Sequence, residues 1–210
     1  MQRQRSAGLA LASGIAFAVL FIVGEALART PDPRGSDAQI VAFWADAGHR
    51  TQALVGAYVL CVAGALFLCF ASALTGTVQH EIRPTTLTSL PAVSGAVFAS
   101  MLFASALVNA AIPAAISFER TPIPSADLSR VLAPTLSGGL LGLGGGLAAL
   151  VFLATTARAA AHAGILPRWL TVAGYAVAVS LTIATVALPI IFLFALWVFA
   201  ASTNLILKTG

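Results

Sequence analysis

The chain has 210 residues, of which 59% are hydrophobic and 9% charged, with a formal net charge of +4. Soluble domains carry about a quarter of their residues as charges, so this composition excludes a soluble globular protein; the basic residues sit between or beside apolar runs, which excludes a nucleic-acid surface as well. Cys61 and Cys69 fall roughly 12 Å apart along one helix at 1.5 Å per residue, too far to bridge, and no CxxC spacing supports thiol redox chemistry or a zinc site.

Arg3 and Arg5 precede an apolar run at about 7–28, interrupted only by Glu25 and long enough to span a bilayer. The Ala26-Leu27-Ala28 sequence has the small-x-small form of a signal cleavage site, but the run exceeds the 7 to 15 residues of a signal core, which favours an uncleaved first span with its N-terminus inside. A polar segment follows, and within it Ser36 with Gln39 reads as a capping box. Ile40, Phe43, Trp44 and Ala47 then recur at helical spacing, which predicts a short amphipathic helix at about 37–47 on the outer face, dipped into the interface or packed over the bundle mouth.

Apolar runs at about 52–74 and 87–116 predict the second and third spans, joined by an inner loop with His80, Glu81, Arg83 and Pro84, and Pro113 is expected to kink the third. The fourth, at about 130–157, contains six glycines in the fourteen residues from Ser137 to Leu150. Gly138, Gly142 and Gly146 recur at i, i+4 and i+8, so on an α-helix they form one groove in which a neighbouring backbone can rest. A phosphate-binding glycine loop is excluded by context, since neither a strand nor a phosphate-reaching Lys accompanies it. The run from Trp169 to Leu207 is nearly twice as long as a bilayer core is thick, which predicts a tight outer hairpin near Pro189 between spans at about 169–186 and 190–207.

The expected architecture is all-α: a single polytopic membrane helix bundle of six transmembrane helices plus the outer amphipathic helix, in the cell membrane with both termini cytoplasmic. Arg3, Arg5, Arg83, Arg158, Arg168 and Lys208 fall inside, and Arg29, Arg34, Arg50, Arg120 and Arg130 outside. Phe70 stands ten residues before His80 and Phe152 ten before His162, a spacing that hints at a duplicated helical hairpin.

Several features together resemble a known group: the short-looped helices, the inner Leu166-Pro167-Arg168-Trp169-Leu170 with Gly174-Tyr175, the outer Ala42-Phe43-Trp44-Ala45-Asp46, and a last helix with Pro189 and Trp197. In these the chain is similar to bacterial multi-pass integral membrane proteins catalogued only as a domain of unknown function. The resemblance implies the fold and carries over neither a catalytic residue nor a substrate.

An acid inside a membrane run is a functional candidate, although Arg29 at i+4 offers Glu25 an interfacial ion pair. Asn109, in the outer third of its helix, needs hydrogen-bond partners, and an interhelical bond is the simplest. Glu25, Trp44, Asp46, His49, Arg50, Tyr58, Asn109 and Arg120 all fall toward the outer end, which predicts a polar-rimmed ligand pocket beneath the amphipathic helix. His49 lies at the opposite end from His80 and His162, so neither haem nor a metal centre is expected. No GxSxG supports serine hydrolysis and no membrane-embedded Lys supports retinal, so no cofactor is expected and an enzyme is disfavoured. Two readings stay open: a protein that binds or transports a small amphipathic or lipid-like molecule through the outer pocket, or a non-catalytic subunit or scaffold whose glycine groove receives a helical membrane partner or a second copy.

Overall fold

The computed structural model describes residues 2–81, 86–183 and 191–209. The expected inner-loop residues Arg83 and Pro84, and the expected hairpin at Pro189, lie outside these. All regular structure among the described residues is helical: α1 (Gln2–Leu27), α2 (Asp37–Ala45), α3 (Ala47–Glu81), α4 (Thr86–Phe118), α5 (Ala126–Arg130), α6 (Gly146–Ala163), α7 (Arg168–Ile183) and α8 (Ile191–Thr209). Between α5 and α6 the helix continues as two π-helical segments, Val131–Ser137 and Leu140–Gly145. Five helical stretches are long and apolar enough to cross a membrane: Ala10–Leu27, Ala47–His80, Ser89–Phe118, Ala126–Ala163 and Ile191–Lys208. The sixth expected span, α7, is described over 16 residues, short of the roughly 20 that a bilayer core takes.

α1 packs against α3 and α8, α3 against α4, α4 against the α5–α6 rod, α6 against α7, and α7 against α8, which closes a ring. Its centre is filled by one phenylalanine from each of five helices. Phe17, Phe67, Phe98, Phe152 and Phe194 are all fully buried, with ring centroids 4.9 Å apart for Phe17–Phe67 and Phe67–Phe98, 5.2 Å for Phe67–Phe152 and 4.8 Å for Phe98–Phe194. Most of these pairs meet edge-on, the arrangement that the ring quadrupoles favour. Outward faces are apolar too: Val19, Val55, Val97, Leu107, Leu147, Val179 and Leu196 are exposed, and helices that are apolar all round belong in lipid.

Helix ends pass beyond the apolar runs that betray them. α3 reaches 35 residues, roughly 52 Å, because Thr75 and Thr77 return their hydroxyls to the carbonyls of Ala71 and Ala73 and let the helix run on into polar sequence. α1 meets α3 where glycine removes the side chain: a Cβ on Gly56 would stand 2.7 Å from Ala28 Cα, and one on Gly24 would stand 2.8 Å from the Leu60 side chain.

Gly138, Gly142 and Gly146 do not stand in one regular α-helix: Gly138 lies between the two π segments, Gly142 within the second and Gly146 at the start of α6. Pro134, inside the first π segment, has no N–H to give the ladder, and Thr135 Oγ1 donates instead to Arg130 O at 2.9 Å. Across these wider i→i+5 turns and the start of α6, Ala133, Ser137, Leu141, Gly145, Gly146, Ala148 and Ala149 are buried. A Cβ on Gly146 would meet nothing within 4 Å, whereas one on Gly144 would stand 2.8 Å from Met101 Sδ of α4. The glycine-rich rod is therefore seated on the chain's own α4 through Gly144.

Candidate functional site

One end of the bundle is capped by α2. Ser36 and Gln39 form the expected capping box, with Gln39 N donating to Ser36 Oγ at 3.3 Å and Ser36 N to Gln39 Oε1 at 2.8 Å. Ile40 and Trp44 point inward, and Trp44 is fully buried in a second apolar cluster with Ala53 of α3, Ile112 of α4, Ala126 and Ala133. Arg130 staples the lid: Nη2 donates to Gly35 O at 2.9 Å and to Asp37 Oδ1 at 2.8 Å, Nε to Pro33 O at 3.2 Å, and Nη1 to Asp127 Oδ1 at 3.1 Å.

At the same end, between α1, α3, α4 and the π-helical rod, lies a cavity of about 130 Å³. Its polar lining comes from Glu25, Thr30, Ser105, Asn109 and Ser137, its apolar lining chiefly from Leu60, Ala106, Ala133 and Leu141. Ala133 belongs both to the apolar cluster around Trp44 and to the cavity lining, so cap and cavity adjoin. Ser105 Oγ donates to Ser137 O at 2.9 Å while Ser137 Oγ donates to Ser105 O at 3.1 Å. This reciprocal pair uses both hydroxyl protons across the α4–π interface and leaves lone pairs on the oxygens.

Asn109 is 6% exposed. Its Nδ2 donates to Ala28 O at 3.1 Å, an interhelical bond of the kind expected, but Oδ1 is buried without a partner. An orphaned buried acceptor forfeits about 1 to 3 kcal/mol of hydrogen bonding. Glu25 is half-buried at the cavity and makes no ion pair with Arg29 or with any other described cation. The expected i, i+4 bridge does not form because α1 ends at Leu27, and Arg29, beyond that end, is exposed.

Of the predicted site residues, Glu25 and Asn109 come together at the cavity. Asp46, His49 and Arg50 instead build the α2–α3 junction. Asp46 Oδ1 accepts from Gly48 N at 2.6 Å and His49 N at 3.1 Å, and the His49 and Gly48 amides hold its carboxyl below the ordinary range. Arg50 Nη1 donates to Trp44 O at 2.6 Å and Ala45 O at 2.7 Å, placing a cation on the C-terminal carbonyls of α2. The His49 ring stacks on Phe43 at 4.3 Å.

Tyr58 is 72% exposed and does not turn into the pocket. Arg120 is exposed with φ 54°, and Glu119 N and Thr121 N both donate to Ala115 O, so it serves as the left-handed residue that ends α4. Gly138 lines the cavity, while Gly142 and Gly146 do not.

Ser105, Ser137 and Thr30 were not legible as site residues. Serines are common in membrane helices, and only the π-helical register turns Ser137 toward Ser105. Pro134 among small residues is the one sequence signal of that irregularity. Comparison of the chain with protein-family models, with curated proteins and with solved structures yields no match.

Proposed function

We propose that the chain is a six-span integral membrane protein of the cell membrane that binds a small molecule, free or as the polar end of a lipid, in the cavity between Glu25 and Asn109. The observation that carries this reading is Glu25, without a partner, lining one cavity with Asn109, whose Oδ1 is buried without a partner, beneath a stapled cap. Polar groups in a membrane interior are expensive and mark sites, and a ligand that supplies their missing bonds recovers that cost. The phenylalanine-filled centre supports binding at one end over an open axial pore. Phe17 and Phe21 of α1 belong to the same core, which supports α1 as a permanent span and not a removed signal.

The alternative, a scaffold whose Gly138, Gly142 and Gly146 receive a partner helix, has in its favour the open space beside Gly146, where a Cβ would meet nothing within 4 Å.

The test is a native mass spectrum of the mildly solubilised protein. Wild type is expected to retain a small molecule or lipid that Glu25→Gln loses, with little change in melting temperature. A bare wild-type protein, or equal retention by the variant, would return the scaffold reading to the front.

A further inference from the structure

Every committed proton in the cavity wall is spent within the protein. Asn109 Nδ2 is taken by Ala28 O, and the Ser105 and Ser137 hydroxyls are taken by each other's backbone carbonyls. What remains for a ligand is a set of acceptors: the Glu25 carboxyl and the serine lone pairs, with the Thr30 hydroxyl able to serve in either sense and Asn109 Oδ1 buried without a partner behind the wall. No Arg, Lys or His is among the described lining residues, so nothing there complements a phosphate or a carboxylate. Resting on the reading of this cavity as a ligand site, we infer that the group it takes is a primary ammonium on a short carbon arm, borne by a free amine or by an aminolipid headgroup.

Size and lining agree with that group. About 130 Å³ is a little less than the roughly 150 Å³ of an apolar cavity that takes benzene, room for an ammonium on a short carbon arm but not for a phosphodiester as well. N–H donors directed at Glu25 and a hydroxyl oxygen satisfy the open acceptors of the wall, while Leu60, Ala106 and Leu141 receive the carbon arm. A bare metal ion leaves that apolar wall without a contact. A trimethylated nitrogen has no N–H and cannot give Glu25 a hydrogen bond.

The experiment titrates ethanolamine hydrochloride against the detergent-purified protein and follows its melting temperature, with choline chloride, sodium chloride and sodium acetate as counterparts at matched ionic strength. Ethanolamine is expected to raise the melting temperature saturably and the other three to do little. Glu25→Gln should weaken ethanolamine binding roughly 10- to 150-fold, the loss of one charge-assisted hydrogen bond, with Glu25→Asp recovering part of it. Should Glu25→Gln fail to fold, the ethanolamine-against-choline comparison on wild type decides.

A second arm reconstitutes the protein in vesicles of equal parts phosphatidylethanolamine and phosphatidylcholine, re-extracts it, and reads bound lipid by native mass spectrometry. Enrichment of phosphatidylethanolamine that Glu25→Gln abolishes assigns the aminolipid; an ethanolamine response without enrichment assigns a free amine. Equal responses to ethanolamine and choline, a response to sodium or acetate, or binding unchanged in Glu25→Gln would overturn the inference. If wild type retains some other molecule that Glu25→Gln loses, the ammonium falls and the ligand site stands. If nothing is retained and nothing binds, both fall.

Discussion

Asp46 ends one helix and begins the next, and its carboxylate occupies the place where the first amides of α3 lack partners. With Oδ1 2.6 Å from Gly48 N and 3.1 Å from His49 N, the ionised form is the one the fold favours. Because its pKa is lowered in the folded protein, the stabilisation is complete above the ordinary carboxylate range. It is lost as pH falls through that range toward the depressed folded value. The Asp46→Asn variant is thus expected to melt below wild type at neutral pH and together with it under strongly acidic conditions, as read by thermal denaturation in detergent across pH. A constant difference at all pH values would detach Asp46 from the acid sensitivity. The same geometry explains why the polar cluster near residue 46 reads as a pocket in the sequence. Asp, His and Arg within five positions are what a ligand site and a helix junction both need, and only backbone direction tells them apart. Glu25 and Asn109 were legible because each is a lone polar group in an apolar run, where the cost of burial itself is the signal.

At the scale of the helix, legibility followed the regularity of the backbone. The capping box at Ser36 and the stripe of Ile40 and Trp44 located α2 correctly because both rest on local, α-helical spacing. Gly138, Gly142 and Gly146 rest on the same spacing, but the π-helical turns around Pro134 are wider, so the three do not share one environment: Gly138 lines the cavity and Gly146 is buried beside open space. Phe17, Phe67, Phe98, Phe152 and Phe194 fall one to a helix and share no motif, so nothing in the linear order announces that they meet. The corrected register makes opposite demands on neighbouring glycines. Gly144→Leu drives a branched side chain toward Met101 and is expected to cost about 1 to 3 kcal/mol. Gly146→Ala adds a methyl where nothing lies within 4 Å, and should be neutral or stabilising by about 0.4 to 1 kcal/mol. Thermal unfolding of the two variants in one detergent checks the order; a Gly146→Ala protein less stable than Gly144→Leu would restore the α-helical groove.

At the scale of the whole molecule, the first half of α1 and the second half of α8 lie together, away from the cap. Phe192 at the start of α8 lies against Phe21 near the end of α1, and a Cβ on Gly14, nearer the start of α1, would run into Ser202, nearer the end of α8. The two helices are therefore antiparallel, and Lys208 Nζ donates to Ile165 O at 2.9 Å in the turn between α6 and α7. Arg158, Arg168 and Lys208 thus gather at the end that holds the termini. At the capped end, Arg130 is held by Asp37 and Asp127, and Arg50 by helix carbonyls. With these cations at one end, we predict by the positive-inside rule that the termini face the cytoplasm and the cavity the outer side. The prediction is tested by single cysteines at Ser36, Gly164 and Thr209 in a background where Cys61 and Cys69 are alanine, labelled with a membrane-impermeant maleimide in intact and in permeabilised cells. Ser36 should label from outside, and Gly164 and Thr209 only after permeabilisation. Three crossings separate Ser36 from Gly164, so reversal of both inverts the orientation and leaves the bundle intact. Between Gly164 and Thr209 lie α7 and α8; if these two sites label from opposite sides, α7 does not cross and the sixth span is lost.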